Sequence, residues 1–291
     1  MARVRWRTKR AASRYRPELV LRTSPQICDA NSPLKVWLLT GNRDMFMSLW
    51  ALKSLILNSN RKWDVWIADD GTINDQTRGL LEAHLIGAHV MKSEAMDHVA
   101  MARLQDFPLC SRLRREFVFA RKLFDPFFHL TADRYLVLDS DILFFSNPNE
   151  IVAALLASGP QPNWFCRQAG SLSTFTEEEG RRLIGCAVME DCNAGLVIAN
   201  RESIILELIE KALAETQILT RWRHVLEQSL YAMLSTRYGF QFLPPTYQVH
   251  MGSVMPSHEA VCTHYVVTAR DQFYSEGIRY FLESGRLVGV Q

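Results

Sequence analysis

From Lys35 onward, short runs of consecutive apolar residues alternate with longer stretches in which apolar positions recur every three to four residues. Uninterrupted runs suit strands covered on both faces, and the 3.6-residue period suits helices packed over them. Lys35–Thr40 (KVWLLT) predicts a first strand ending at Gly41-Asn42, with Asp44 placed to cap a helix whose Met45, Leu49, Leu52 and Ile56 share one face. Residues 63–68 (WDVWIA) predict a second strand closed by Asp69-Asp70-Gly71; Asn74 or Asp75 then starts a helix, and His89–Met91 reads as a weak third strand. Residues 116–129 read as one helix, and Phe117, Phe119, Phe124, Phe127 and Phe128 are expected in the core. Residues 135–138 (YLVL) form an apolar strand, Asp139-Ser140-Asp141 interrupts it, and residues 142–145 resume it; Pro148 opens a helix over Asn149–Leu156. Beyond about residue 160 the pattern is less regular, with strands at 195–199 and 261–265 and helices at 202–214 and 222–238. This alternation predicts an α/β layered fold.

Composition adds few constraints. Of 291 residues, 48% are hydrophobic and 22% charged, as in an ordinary soluble domain. The longest apolar runs fall far short of the ~20 residues that a spanning helix needs. A net charge of +2 excludes a polyanion-binding protein, so no nucleic-acid partner is expected. The first 22 residues differ: Arg3, Arg5, Arg7, Lys9, Arg10, Arg14, Arg16 and Arg22 face only Glu18. No apolar run follows these charges, so they do not read as a secretory signal. They read either as a solvated tail or as an arm that docks on anionic lipid headgroups or nucleic acid, of which peripheral contact with an anionic membrane is the expectation kept. Six cysteines without a C-x-x-C pair point to reduced, buried thiols in a cytoplasmic protein, and no structural zinc site is expected.

The candidate chemistry starts at YLVLDSDILFF. Two carboxylates inside a sequence built for a core would cost several kcal/mol if buried bare. At positions i and i+2 on a strand they point the same way, so one hard divalent cation relieves both and keeps open positions for phosphate oxygens. A pair of aspartates closing a turn is the other reading that these residues allow.

This segment resembles the DxD motif of GT-A fold glycosyltransferases. Residues 67–72 (IADDGT) resemble the family's "DDGS" turn, and Thr40-Gly41-Asn42 stands where its first loop wraps the nucleoside. Cys192–Asn200 (CNAGLVIAN) is similar to the "FNAGVLVIN" segment of the glycogenin-like and lipopolysaccharide galactosyltransferase-like branch. Glu227-Gln228-Ser229 occupies the place of that branch's Asp-Gln-Asp, and residues 263–270 (THYVVTAR) resemble its H-x-x-G-x-x-K. Two departures stand out: Val267 replaces the glycine and Ser229 the second aspartate.

The resemblance implies a Rossmann-like α/β fold with a mixed sheet flanked by helices. The charge distribution sets off a basic arm over residues 1–33, and with no repeat or linker after it residues 34–291 read as one domain, catalytic by the resemblance, nucleotide-binding to 146 and acceptor-binding after it. The resemblance implies Mn²⁺ or Mg²⁺ on Asp139, Asp141 and His264, and a donor site of Thr40, Gly41, Asn42, Asp69, Asp70, Lys122, Ser140, Asn193, Ala194, Gly195 and Arg270. Glu227 and Gln228, then Asp191, become the catalytic candidates. The implied activity is transfer from a nucleotide-sugar, with UDP as the expected nucleotide, to a glycan, lipid or protein hydroxyl. The branch retains the anomeric configuration, whereas a general-base Glu227 would invert it. Two alternatives remain: a non-catalytic sugar-nucleotide-binding protein of this fold, and a DxD phosphatase of the haloacid-dehalogenase type. The latter carries its motif at the first strand, not at residue 139.

Overall fold

The computed structural model describes residues 17–171, 173–221, 225–251, 258–266 and 269–284. Residues 1–16 of the basic arm, Trp222, Arg223, the 252–256 part of a loop rich in Met, Gly and Pro, and Val267 lie outside them. Twelve strands are described: β1 Gln26–Ile27, β2 Lys35–Thr40, β3 Asp64–Asp69, β4 Leu85–Ile86, β5 His89–Met91, β6 Arg134–Leu138, β7 Ile142–Phe144, β8 Asn163–Arg167, β9 Cys192–Asn200, β10 Phe240–Phe242, β11 Tyr247–Val249 and β12 Cys262–His264. β1 and β4 make a small parallel pair. The rest form one mixed sheet in the order β5-β3-β2-β6-β9-β8-β11-β12-β7, with β10 on β8.

β5, β3, β2 and β6 run parallel, so their carboxyl ends share one edge. β9 runs antiparallel between β6 and β8 and returns its first residues to that edge. Both sheet faces are covered, which explains the unbroken apolar runs. Trp37 and Val137 point into one core with Phe124 and Tyr231, while Val36, Leu38 and Leu136 point into the other with Leu52 and Leu55. Each such side chain contributes about 1.5–3 kcal/mol by leaving water. From Leu138 to Ile142 the chain spans at most about 14 Å. The middle strand and the far-end strand β7 therefore meet at Asp139–Asp141. The free edge of β7 is closed by the Met45–Ser59 helix, where Ser54 Oγ accepts from Phe144 N (3.1 Å) and Asn58 Nδ2 donates to Phe144 O (2.7 Å).

Several expectations need correction. Asp44 sits at the helix start but makes no side-chain cap; its carboxylate turns to Arg43 and Arg270. Asn74, by contrast, caps the Asp75–His84 helix, accepting from Thr77 N at 2.9 Å. Residues 116–129 are not one helix: Pro108–Glu116 ends at an extended Phe117, and a short turn leads into Arg121–His129. Phe119 on that turn is 45% exposed, its ring edge against Phe117, so it is not core. Pro148 precedes the first helical turn instead of opening it. The less regular half also holds β8, β10, β11, the Glu177–Ile184 helix and a π-helical turn at Phe273–Ile278. Of the described cysteines, Cys186 alone is exposed. Among the described residues no helix is long and apolar enough to cross a membrane.

Candidate functional site

The backbone ladders bring the DxD aspartates and His264 together. Asp139 N donates to Gly195 O at 2.7 Å, tying the end of β6 to the start of β9. His264 pairs with Ile142 across β12 and β7, and Tyr265 N donates to Asp141 O at 2.8 Å. His264 Nε2 thereby comes 3.0 Å from Asp141 Oδ1 and 3.9 Å from Asp139 Oδ2. One ligand atom from each of the three residues lies within 4.8 Å of the others.

Hydrogen bonding fixes how His264 faces this cluster. Gly195 N can only donate, and it donates to Asn193 Oδ1 at 2.9 Å, so that oxygen is an acceptor. His264 Nδ1 lies 2.8 Å from the same oxygen and must carry the proton it offers. Neutral His264 therefore turns the bare Nε2 lone pair towards two carboxylates, an arrangement that repels itself unless a cation or a proton intervenes. A ligating histidine held by its other ring N–H is the usual construction of a protein metal site. Two carboxylates and an imidazole thus fit a divalent ion. A Cβ on Gly195 would overlap the His264 ring, so only glycine lets the imidazole lie across this strand.

Burial pushes the Asp141 carboxyl up, but a proton on His264 Nε2, which takes the cation's place when no metal is bound, and the Arg270 guanidinium beside it outweigh burial and hold it below the ordinary range. Arg270 donates to Asp141 Oδ2 (3.2 and 3.3 Å) and reaches Asp44 at 3.4 Å. Ser140 is buried between the two aspartates.

Lys122 reaches the cluster from the other side. Pro126 offers no N–H to the carbonyl one turn earlier in its helix. That carbonyl, Lys122 O, accepts instead from Tyr231 OH at 2.8 Å. The same Leu226–Tyr238 helix carries Glu227 one turn before Tyr231. Lys122 Nζ lies 2.6 Å from Asp139 Oδ1 and 3.1 Å from Glu227 Oε1, with its side chain 5% exposed. Burial lowers the Lys122 pKa, yet the two carboxylates overcome it and leave the ammonium firmly charged. Burial raises the Glu227 carboxyl to about 7, with Lys122 opposing and Asp139 assisting. Lys122 is thus no part of a solvated basic face.

Gln228 Oε1 accepts from Ala194 N at 3.2 Å, and its Nε2 donates to Ser171 Oγ at 2.8 Å. Asp191, in a left-handed conformation (φ 59°), turns to the residues after β8. It accepts from Gly170 N at 2.8 Å and pairs with Arg167 at 3.3 Å. Arg221 is also engaged away from the cluster, forked onto Glu179 at 2.7 and 2.9 Å.

The other predicted residues form a second group at the ends of β2 and β3. Asp69 Oδ1 accepts from Gly71 N and Ile73 N, and Asp70 Oδ1 from Thr72 N and Thr72 Oγ1, so each carboxylate closes a turn and keeps a second oxygen. A Cβ on Gly41 would overlap the Asp70 carboxylate, which accounts for that glycine. Thr40 Oγ1 accepts from Ser48 Oγ, and Asn42 bridges Thr72 and Asn74. Arg121, not singled out for this task by the sequence, ties the two groups together. It donates to Asp69 O (3.1 Å) and Ser93 Oγ (2.8 Å) from the residue next to Lys122.

The sequence matches no protein-family model and no curated protein. Among the solved structures that resemble the fold are two glycosyltransferases. One is the galactosyltransferase LgtC in complex with donor and acceptor sugar analogues: 15% identity, 86% of this chain and 96% of that chain covered, TM-score 0.50. The other is apo mouse xyloside xylosyltransferase 1: 11% identity, 81% and 98% covered, TM-score 0.53. The chain has the GT-A fold. In GT-A terms, every predicted metal and donor residue lies at the shared carboxyl edge of β2, β3 and β6 or on the strands and helices abutting it. Open α/β sheets bind ligands along such an edge. The sequence did not single out Gln168, Ser171 or Tyr231. Pro126 inside a helix was the available signal for Tyr231; nothing marked the other two, because β8 carries no clear hydropathy period.

Proposed function

We propose that the protein is a metal-dependent glycosyltransferase that moves a sugar from a nucleotide-diphosphate donor, a UDP-sugar, to an acceptor hydroxyl. The observation that carries this reading is the meeting of Asp139, Asp141 and the bare Nε2 of His264 beside the buried Lys122–Glu227 pair. A divalent metal on those three ligands, Mn²⁺ before Mg²⁺ because one ligand is an imidazole, supplies positive charge for the leaving diphosphate. Arg270 adds a planar fork for phosphate oxygens once it exchanges Asp141 for them. Asp69 or Asp70 reads the base with the carboxylate oxygen its turn leaves over, and Thr40, Gly41 and Asn42 wall the nucleoside. Asn193, Ala194 and Gly195 border the sugar.

Glu227 and Gln228 flank the reacting carbon, with Asp191 a second choice on the acceptor side. Charge develops there as in an oxocarbenium ion, and carboxylate and amide oxygens stabilise it. We favour retention, since Glu227 is walled from solvent and tied to Lys122. Its raised carboxyl, near 7, favours the second reading, in which Glu227 takes the acceptor's proton and the product is inverted. A cytoplasmic location and peripheral membrane contact through the basic arm belong to the same proposal.

The test is nucleotide release from a panel of UDP-, GDP- and CDP-sugars with Mn²⁺, with and without glycan, lipid and peptide acceptors. Mn²⁺-dependent UDP release, stimulated by an acceptor, is expected, and the anomeric coupling constant of the product assigns the stereochemistry. Tight donor binding with no release identifies the non-catalytic binder. Phosphate release that needs no nucleotide-sugar and is lost in Asp139→Asn identifies the phosphatase.

A further inference from the structure

Gln168 follows directly after β8, and its side chain makes no described hydrogen bond to Asp139, Asp141 or His264. Its Oε1 accepts from Asn193 Nδ2 at 2.6 Å. Asn193 is buried, and its amide has two distinct ends at work. The oxygen receives Gly195 N–H and His264 Nδ1–H, and the nitrogen is satisfied by Gln168. If the amide turned over, its nitrogen would face His264 Nδ1. The imidazole would then have to accept there and carry its proton on Nε2, aimed at Asp141. That tautomer has no lone pair for a metal.

We propose that Gln168 is a positioning residue for the metal centre: by holding the Asn193 amide in one orientation, it fixes the His264 tautomer that presents Nε2 to a divalent cation. The proposal rests on the reading of Asp139, Asp141 and His264 as metal ligands and extends it two hydrogen bonds outward. The local backbone supports it. Gln168 N donates to Asp191 O at 2.7 Å and Asp191 N to Ser171 O at 2.8 Å, so the turn that carries Gln168 is pinned to the start of β9, two residues from Asn193. The requirement at position 168 is an acceptor and nothing more. Glutamate meets it and methionine, of similar length, does not.

The test is the affinity of the full chain for Mn²⁺ alone, read from the free-ion EPR signal, in wild type, Gln168→Met, Gln168→Glu and Ser171→Ala. Outer partners of metal-bound histidines alter affinity by about 10–100-fold when removed. Gln168→Met is expected to weaken Mn²⁺ binding at least about tenfold, and Gln168→Glu to stay within about threefold of wild type. Ser171→Ala controls for damage to the turn. It removes the Gln228 contact on the same turn, leaves Asn193 untouched, and is expected to bind Mn²⁺ as wild type does. Three results overturn the proposal: Gln168→Met binding as wild type, Gln168→Glu failing alongside Gln168→Met, or Ser171→Ala matching the loss. Wild type that binds no Mn²⁺ overturns the metal-site reading itself, and the inference with it.

Discussion

Lys122 stands between two carboxylates in a nearly dry position, and replacing it with methionine should expose what that arrangement costs. The ammonium lies 2.6 Å from Asp139 and 3.1 Å from Glu227. Removing one partner of a buried ion pair costs about 3–5 kcal/mol, because the remaining charge is left without compensation. Two features place this case at the low end. The Asp139 side chain is 28% exposed, so water can solvate it. Glu227 can escape by taking a proton: its carboxyl already titrates at about 7 and moves higher without Lys122. Neutralising a carboxyl with a pKa near 7 costs less than about 1 kcal/mol at neutral pH. Lys122→Met should therefore lose about 3 kcal/mol in metal-free urea unfolding near pH 7.5. Lys122→Met with Glu227→Gln leaves no buried charge stranded and should recover about 2 kcal/mol of that loss as a coupling energy. A single variant within about 1 kcal/mol of wild type, or a double variant as costly as the two singles added, would refute the reasoning.

Three further outcomes follow from the same geometry. Tyr231→Phe removes the donor for the carbonyl that Pro126 leaves open and should cost about 1–3 kcal/mol in urea unfolding; a loss below about 0.5 kcal/mol contradicts that role. Gly195→Ala forces a methyl group into the His264 ring, so Mn²⁺ affinity should collapse while the chain remains folded by circular dichroism; wild-type affinity would show that the imidazole has room elsewhere. The Glu227 carboxyl is raised from 4.5 to about 7 on folding, so between those values the folded chain holds a proton that the unfolded chain has lost. Stability from this group is therefore complete below the lower value and falls as pH rises through the window, by about 3 kcal/mol at about 1.4 kcal/mol per unit. Glu227→Gln should flatten that decline, and parallel profiles for wild type and variant would count against it.

The sheet was legible wherever strands are buried on both faces. β2 falls where the apolar run predicts it, β3 is displaced by a single residue and β6 starts one residue early; the half-buried edge strand β5 was also read, from its short apolar run. The Phe117 break was not legible, because a run of aromatics has the same hydropathy whether the helix continues or restarts. β8, β10 and β11 were missed as short strands interleaved with polar residues, with pairing partners far away in sequence. The Asp139–Asp141 pair was readable because carboxylates are costly in an apolar strand and so mark themselves. Lys122 was named as a phosphate ligand, whereas its environment is a pair of carboxylates, a partnership set by the helix carrying Glu227 and Tyr231 more than a hundred residues later. The outer hydrogen bonds of Gln168 and Ser171 leave no local sequence signature, since any residue able to accept at the right point in space would serve.

A divalent ion held by Asp139, Asp141 and His264, through which a nucleotide-sugar binds, must set the affinity for the donor. Calorimetric titration of UDP-sugars into wild type and Asp141→Ala, each with Mn²⁺ and with EDTA, tests it most directly. Wild type should bind with Mn²⁺ and at least about tenfold more weakly with EDTA, and Asp141→Ala should gain nothing from Mn²⁺. Equal donor affinity with Mn²⁺ and EDTA, or a Mn²⁺ effect that survives Asp141→Ala, would contradict that requirement.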